Sequence, residues 1–168
     1  MSKKLIWTIV AVVAVVAVVC AVVFFKPKTE ANVEGTLEEI MGKLYAGIPA
    51  ENLPMLGQMP VDATDSDSVA YYLGTSEVSF KEALVSEPMM GSVPHSVVLV
   101  RLNDAKDADA AVAKIKESVN PRKWICGQAS NVVVKSKGDL VVLIMSDTEV
   151  TPVAEHLAPK LEANFNNL

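Results

Sequence analysis

Val132-Val-Val-Lys-Ser-Lys-Gly-Asp-Leu-Val-Val-Leu-Ile-Met145 holds two runs, Val132–Lys135 and Leu140–Met145, on either side of a polar turn. Gly138 can take the positive φ of a tight reversal, so the stretch predicts a β-hairpin. Its second run is wholly apolar, as a central strand is. Val97–Leu102 reads the same way, with Val and Leu broken only by Arg101. Residues 77–85, where Val78 and Phe80 alternate with polar neighbours, predict a further strand.

Helical spacing surrounds these runs. Asp104 caps a predicted helix whose stripe is Ala108, Ala111, Val112, Ile115 and Val119, and Asn120-Pro121 stops it. Thr151-Pro152 opens a last helix with Val153, Leu157, Leu161 and Phe165, which Pro159 is expected to kink or split. Thr36 and Glu39 form a capping box before Leu37, Ile40, Met41, Leu44 and Tyr45, and Gly47 can end that helix. Residues 48–64, with Pro49, Pro54, Gly57 and Pro60, read as irregular. Val69–Leu73 reads as one or two helical turns before Gly74. The implied class is α+β: one domain, residues 36–168, with a mainly antiparallel sheet of about four strands covered on one face by helices.

Ahead of that domain, residues 5–25 contain no charged residue, and only Trp7 and Thr8 have polar character. At about 1.5 Å per residue these 21 residues reach about 31 Å, the thickness of a hydrocarbon core. A soluble helix would carry a polar face, and this run has none. A cleaved signal peptide has a shorter apolar stretch and small residues at its end, whereas this one ends Phe24-Phe25-Lys26-Pro27. Residues 1–28 therefore read as an uncleaved membrane anchor and 29–35 as a tether. The chain has 15 bases and 20 acids; the four lysines of residues 1–28 face no acid, which leaves 11 bases against 20 acids beyond them, a net −9. An acidic domain is repelled by nucleic acid and by anionic lipid. The short lysine-bearing N-terminus predicts a single-pass protein with its domain outside the cytoplasm.

No metal, cofactor or catalytic site is assigned. His95 and His156 lack ligands at metal spacing, and no phosphate loop, nucleophile elbow or C-x-x-C occurs. Asp104, Asp107 and Asp109 lack the glycine bend and distal Glu of a calcium loop and read as caps. Asp62, Asp65 and Asp67 read as a solvated turn. Cys20 lies in the anchor and Cys126 in the domain, so they cannot pair. Cys126 follows Trp124-Ile125 and is expected to be a buried, inert thiol. Met55, Met59, Met89 and Met90 fit either core filling or an adaptable binding surface, with core filling preferred.

The stretch Arg122-Lys-Trp-Ile-Cys126 followed by Gly138–Met145 resembles small membrane-anchored or lipoprotein-type bacterial proteins of unknown function from Gram-positive anaerobes. The resemblance spans about residues 36–165 and implies an extracytoplasmic α+β domain, with no catalytic residue to transfer. Lipoprotein members carry a lipid-modified cysteine, while Cys20 here has Val19 before it and lies mid-span. The function expected from all this is a membrane-tethered, non-enzymatic interaction or structural module of the cell envelope. Two alternatives stand beside it. One is an envelope enzyme with a non-contiguous site near Cys126 and His95. The other is an assembly or sensor subunit that pairs through the anchor stripe Ala11, Ala14, Ala17 and Ala21.

Overall fold

A computed structural model describes residues 31–91, 93–147 and 157–168. The chain order is helix α1 (Leu37–Leu44), a 3-10 turn (Ala50–Asn52), strand β1 (Leu56–Pro60), α2 (Ser66–Leu73), β2 (Phe80–Pro88) and β3 (His95–Leu102). A second 3-10 turn (Ala105–Asp107), α3 (Ala108–Ser118), β4 (Asn131–Lys137), β5 (Leu140–Ser146) and α4 (Leu157–Asn166) complete it. The strands form one antiparallel sheet in the order β1-β2-β3-β5-β4. The fold class is α+β. Among the described residues no helix is long and apolar enough to cross a membrane, and the span read at residues 5–25 lies outside them.

The hairpin forms with a two-residue loop: Lys137 pairs with Leu140, and Gly138 holds φ 57°. A Cβ at Gly138 would lie 2.6 Å from the Ala31 carbonyl oxygen, so glycine is required both for the turn and for the passage of residues 31–32. The capping box at Thr36 and Glu39 is complete, with both reciprocal bonds made. Asp65, read as part of a solvated turn, caps α2 by accepting from the amides of Asp67 and Ser68. Asp62 accepts from Thr64, and Asp104 caps the second 3-10 turn at Lys106.

Two expectations are corrected. First, the sheet is covered on both faces. Odd-numbered β3 residues such as Val97 and Leu99 pack with Val142, Ile144, α1 and α4. Even-numbered Val98 and Val100 pack with Val141, Leu143, Met145, α2 and α3. Strands β3 and β5 are buried at every position, so neither face can be left to solvent. Second, the sheet has five strands among the described residues, because residues 56–60 add an edge strand within the segment read as irregular. Its Gly57 and Pro60 weigh against a strand, but an edge tolerates a proline whose missing donor would face outward. Pro159 is the third residue of the described helix Leu157–Asn166, which continues past it; the part of the predicted helix before Leu157, where a kink or split would show, lies outside the described residues. Thr151-Pro152 and His156 lie outside the described residues.

Arg101 closes one end of the sheet. Its guanidinium donates to Glu82, Asp139 and the carbonyls of Val33 and Gly35. These bonds tie residues 33–35 to the α1/α4 face. Leu143 is fully buried at the centre of the opposite face. We expect a fragment of residues 31–168 to unfold in one cooperative transition, and Leu143→Ala to cost about 2–5 kcal/mol by denaturant titration. A loss within measurement error would show that the α2/α3 layer does not depend on this residue.

Candidate functional site

The end of the sheet opposite Arg101 collects polar side chains from elements distant in sequence. Register places His95 opposite Ser146, and the same pattern sets Ser86 beside Val97. Tyr45, at the C-terminus of α1, reaches this row on the α1/α4 face. Its hydroxyl lies 2.9 Å from His95 Nε2 and 3.3 Å from Ser86 Oγ. His95 is fully buried, and its Nδ1 has no hydrogen-bond partner among the described residues. A donor without a partner costs more than an idle lone pair, so the proton belongs on Nε2. His95 Nε2–H then donates to Tyr45, and the Tyr45 hydroxyl donates to Ser86. Burial holds the His95 pKa down to about 4 and raises that of Tyr45. The imidazole is neutral at ordinary pH, with its ring closed off from solvent.

On the other face the same strand ends carry Glu87 and Ser96, and a second ensemble forms around Lys123 from the α3–β4 loop. The Lys123 side chain is only 4% exposed and is ion-paired with Glu87. Its ammonium lies 3.4 Å from Ser96 Oγ. Three rings surround it: Tyr71 at 4.7 Å, Tyr72 at 5.0 Å and Trp124 at 5.4 Å from their centroids. Tyr71 meets Tyr72 edge-on. Desolvation lowers the Lys123 pKa, against the pull of the Glu87 carboxylate. Burial, then the Glu87 charge, raises the pKa of both tyrosines. Each cation–π contact in such a dry site is worth up to about 2 kcal/mol. The box therefore pins the α3–β4 loop to the end of β2.

With Lys123 and Trp124 turned inward, the next residues of the loop turn out. Ile125 is 97% exposed and Cys126 is exposed as well. This corrects the expectation of a buried thiol packed beside Trp124 and Ile125. Only Trp124 of that trio enters the core, because the loop follows no strand or helix that would bury three side chains in succession. The methionine expectation is corrected too. Met55, Met89 and Met90 are 75%, 70% and 74% exposed. The Met89 amide donates to the Met55 carbonyl, so these residues sit together at the β1–β2 end. The loop folds over the start of β3, where a Cβ on Gly127 would lie 2.4 Å from Pro94.

Among the described residues no hydrogen bond joins His95 to Cys126, the pair proposed from sequence, although their chain neighbours Pro94 and Gly127 lie close. His95 is committed to Tyr45 on one face, Trp124 of the Cys126 loop packs on the other, and His156 lies outside the described residues. Sequence reasoning missed Lys123, Glu87, Tyr71 and Tyr72. No local motif links them, since about fifty residues separate the tyrosine pair from the lysine. The chain matches no family model, no curated protein and no solved structure.

Two outcomes follow from these networks. Lys123→Met leaves Glu87 desolvated without its cation and should lower stability by about 3–5 kcal/mol, while Lys123→Met with Glu87→Gln should regain most of it. Equal losses in the single and double variants would mean that the pair is not coupled. For His95, the folded pKa of about 4 lies below the unfolded value of 6.5. Its stabilising contribution is complete above the unfolded pKa and is lost as pH falls from about 6.5 towards 4, by about 3 kcal/mol. A His95→Gln variant should lose that part of the acid dependence in parallel denaturant titrations. Superimposable pH profiles would contradict the assignment.

Proposed function

We propose that this chain is a membrane-tethered, extracytoplasmic interaction module of the cell envelope, without catalytic activity of its own. The observation that carries the reading is the display of Ile125, Met89, Met90 and Met55, the most exposed of the described large apolar side chains, at one end of a domain whose core lies in two layers. Methionine adapts to varied partners, and a rigidly held apolar residue loses little entropy on docking. The Lys123 box supplies that rigidity for Ile125. Tethering is supported by the uncharged run at 5–25, and export by the resemblance to anchored envelope proteins. An acidic domain has no electrostatic reason to meet nucleic acid.

The enzyme alternative has less support. A nucleophile needs a base within hydrogen-bond reach, and the buried imidazole of His95 is already engaged by Tyr45. The assembly-subunit alternative keeps its support from the alanine stripe of the anchor.

A reporter active only outside the cytoplasm, fused after Leu168, should give signal in whole cells. A photoreactive residue at Ile125 should form discrete adducts in the same cells, and one at exposed Lys116 on α3 should not. A cytoplasmic reporter signal would refute the topology, and equal adducts at both positions would refute the docking role of the apex.

A further inference from the structure

The two edges of the sheet differ in how they are guarded. Edge strand β4 carries Lys135 and Lys137, and both reach α4, at Glu162 and Asn166. Charged side chains on an edge discourage pairing with another chain. Edge strand β1 has no such guard, and residues 53–61 carry no charge in a domain of net −9.

Backbone hydrogen bonds define what β1 offers. The Met89 amide donates to the Met55 carbonyl, and the Val61 amide donates to the Ala83 carbonyl. Antiparallel alternation then turns the backbone groups of odd-numbered residues 55–61 towards β2 and those of Leu56 and Gln58 outward. No described residue pairs with these outward groups. Pro54 and Pro60 stand at the next outward positions on either side and have no amide hydrogen. The free edge is thus a window with two donors, closed by prolines.

The geometry points to a second copy of this chain as the partner of that window: two β1 strands pair antiparallel about a two-fold axis at Gly57 and join two five-stranded sheets into one. In this register Leu56 of each copy exchanges both backbone bonds with Gln58 of the other. All outward donors and acceptors of those residues are used. Gly57 then faces its own symmetry mate in a non-hydrogen-bonded pair, where strands approach most closely and the lack of a side chain helps. Met55 lies directly opposite the symmetry-related Met59, on the same face, so two exposed side chains cover each other. The axis stands perpendicular to the sheet, so both copies turn the α1/α4 face to the same side. Val33 packs in that layer, hence both chains join the domain from one side, as two anchors in one membrane require.

This inference goes beyond the docking role of the apex: it takes Met55 into the dimer and leaves Ile125, Met89 and Met90 for docking, so its failure would leave that role untouched. The test uses the full chain in its native membrane, with Cys20 and Cys126 replaced by Ser. Gly57→Cys is tolerable in the fold, since a Cβ there meets Met89 at 3.5 Å and the backbone needs no positive φ. Under mild oxidation Gly57→Cys should give a disulfide-linked dimer at least about tenfold more efficiently than Val132→Cys on the opposite edge, because facing Cα atoms at about 4.5 Å lie within disulfide range. Met55→Cys and Met59→Cys, expressed together, should cross-link. Met55→Cys alone should not, since its symmetry mate lies about 13 Å further along the strand. Equal cross-linking at Gly57→Cys and Val132→Cys, or cross-linking of Met55→Cys with itself but not with Met59→Cys, would overturn the proposal.

Discussion

Strands β3 and β5 carry apolar side chains on both faces, and a strand of that kind must be covered twice. The layout follows from this requirement. One layer, α1 with α4, covers Leu84, Val97, Leu99, Val142 and Ile144; the other, α2 with α3 and Trp124, covers Val85, Val98, Val100, Leu143 and Met145. Helices with a single apolar stripe suffice for each layer, because the sheet between them presents a continuous apolar surface on either side. Gly74 shows how tightly one layer is closed. It ends α2 in the left-handed conformation, and a Cβ there would lie 2.3 Å from the Ser118 carbonyl oxygen at the end of α3.

A doubly covered sheet has nowhere but its ends to put polar groups. The two ends are used differently. At one, Arg101 meets carboxylates and carbonyls together, so its guanidinium faces four fixed acceptor groups and residues 33–35 are locked to the sheet. At the other, the polar groups divide by face. The Tyr45–His95–Ser86 chain is neutral and dry, while Lys123 and Glu87 form a charged pair under aromatic cover. A buried ion pair gives little net stability over an apolar substitute, but it fixes which groups must meet. Here it fixes the α3–β4 loop. Apolar residues could hold Trp124 down equally well, yet they would not dictate that Lys123 enters and Ile125 leaves.

The parts of this fold legible in the sequence are those whose signal is local. Gly138 between two apolar runs, Thr36 with Glu39, and the stripe of α3 each state their structure within about ten residues. Double coverage was half legible: the unbroken run Leu140–Met145 called for a central strand, but nothing local said that helices would lie on both sides. Strand β1 was hidden because Gly57 and Pro60 are poor strand residues, and only its pairing with β2 makes it one. The candidate site was the least legible part. Tyr71, Tyr72, Glu87 and Lys123 come from α2, β2 and the α3–β4 loop, and their meeting is a product of tertiary register. Cys126 was misplaced for a related reason. Apolar neighbours suggest burial only where a strand or helix sets which side chains point inward, and residues 121–130 belong to neither.

The exposed residues are better understood as a choice between two ways of satisfying one end of the sheet. Turning Ile125 inward would remove its side chain from water, worth about 1.5–3 kcal/mol for a residue of that size. The same turn of the loop would draw Lys123 out from between three rings and strip Glu87 of its partner, and breaking a buried pair costs more, about 3–5 kcal/mol. The clamp therefore outweighs the burial it forgoes, and the apolar apex persists without any partner to hold it open. A surface maintained in this way is ready before binding begins, so association need not supply the energy to order it.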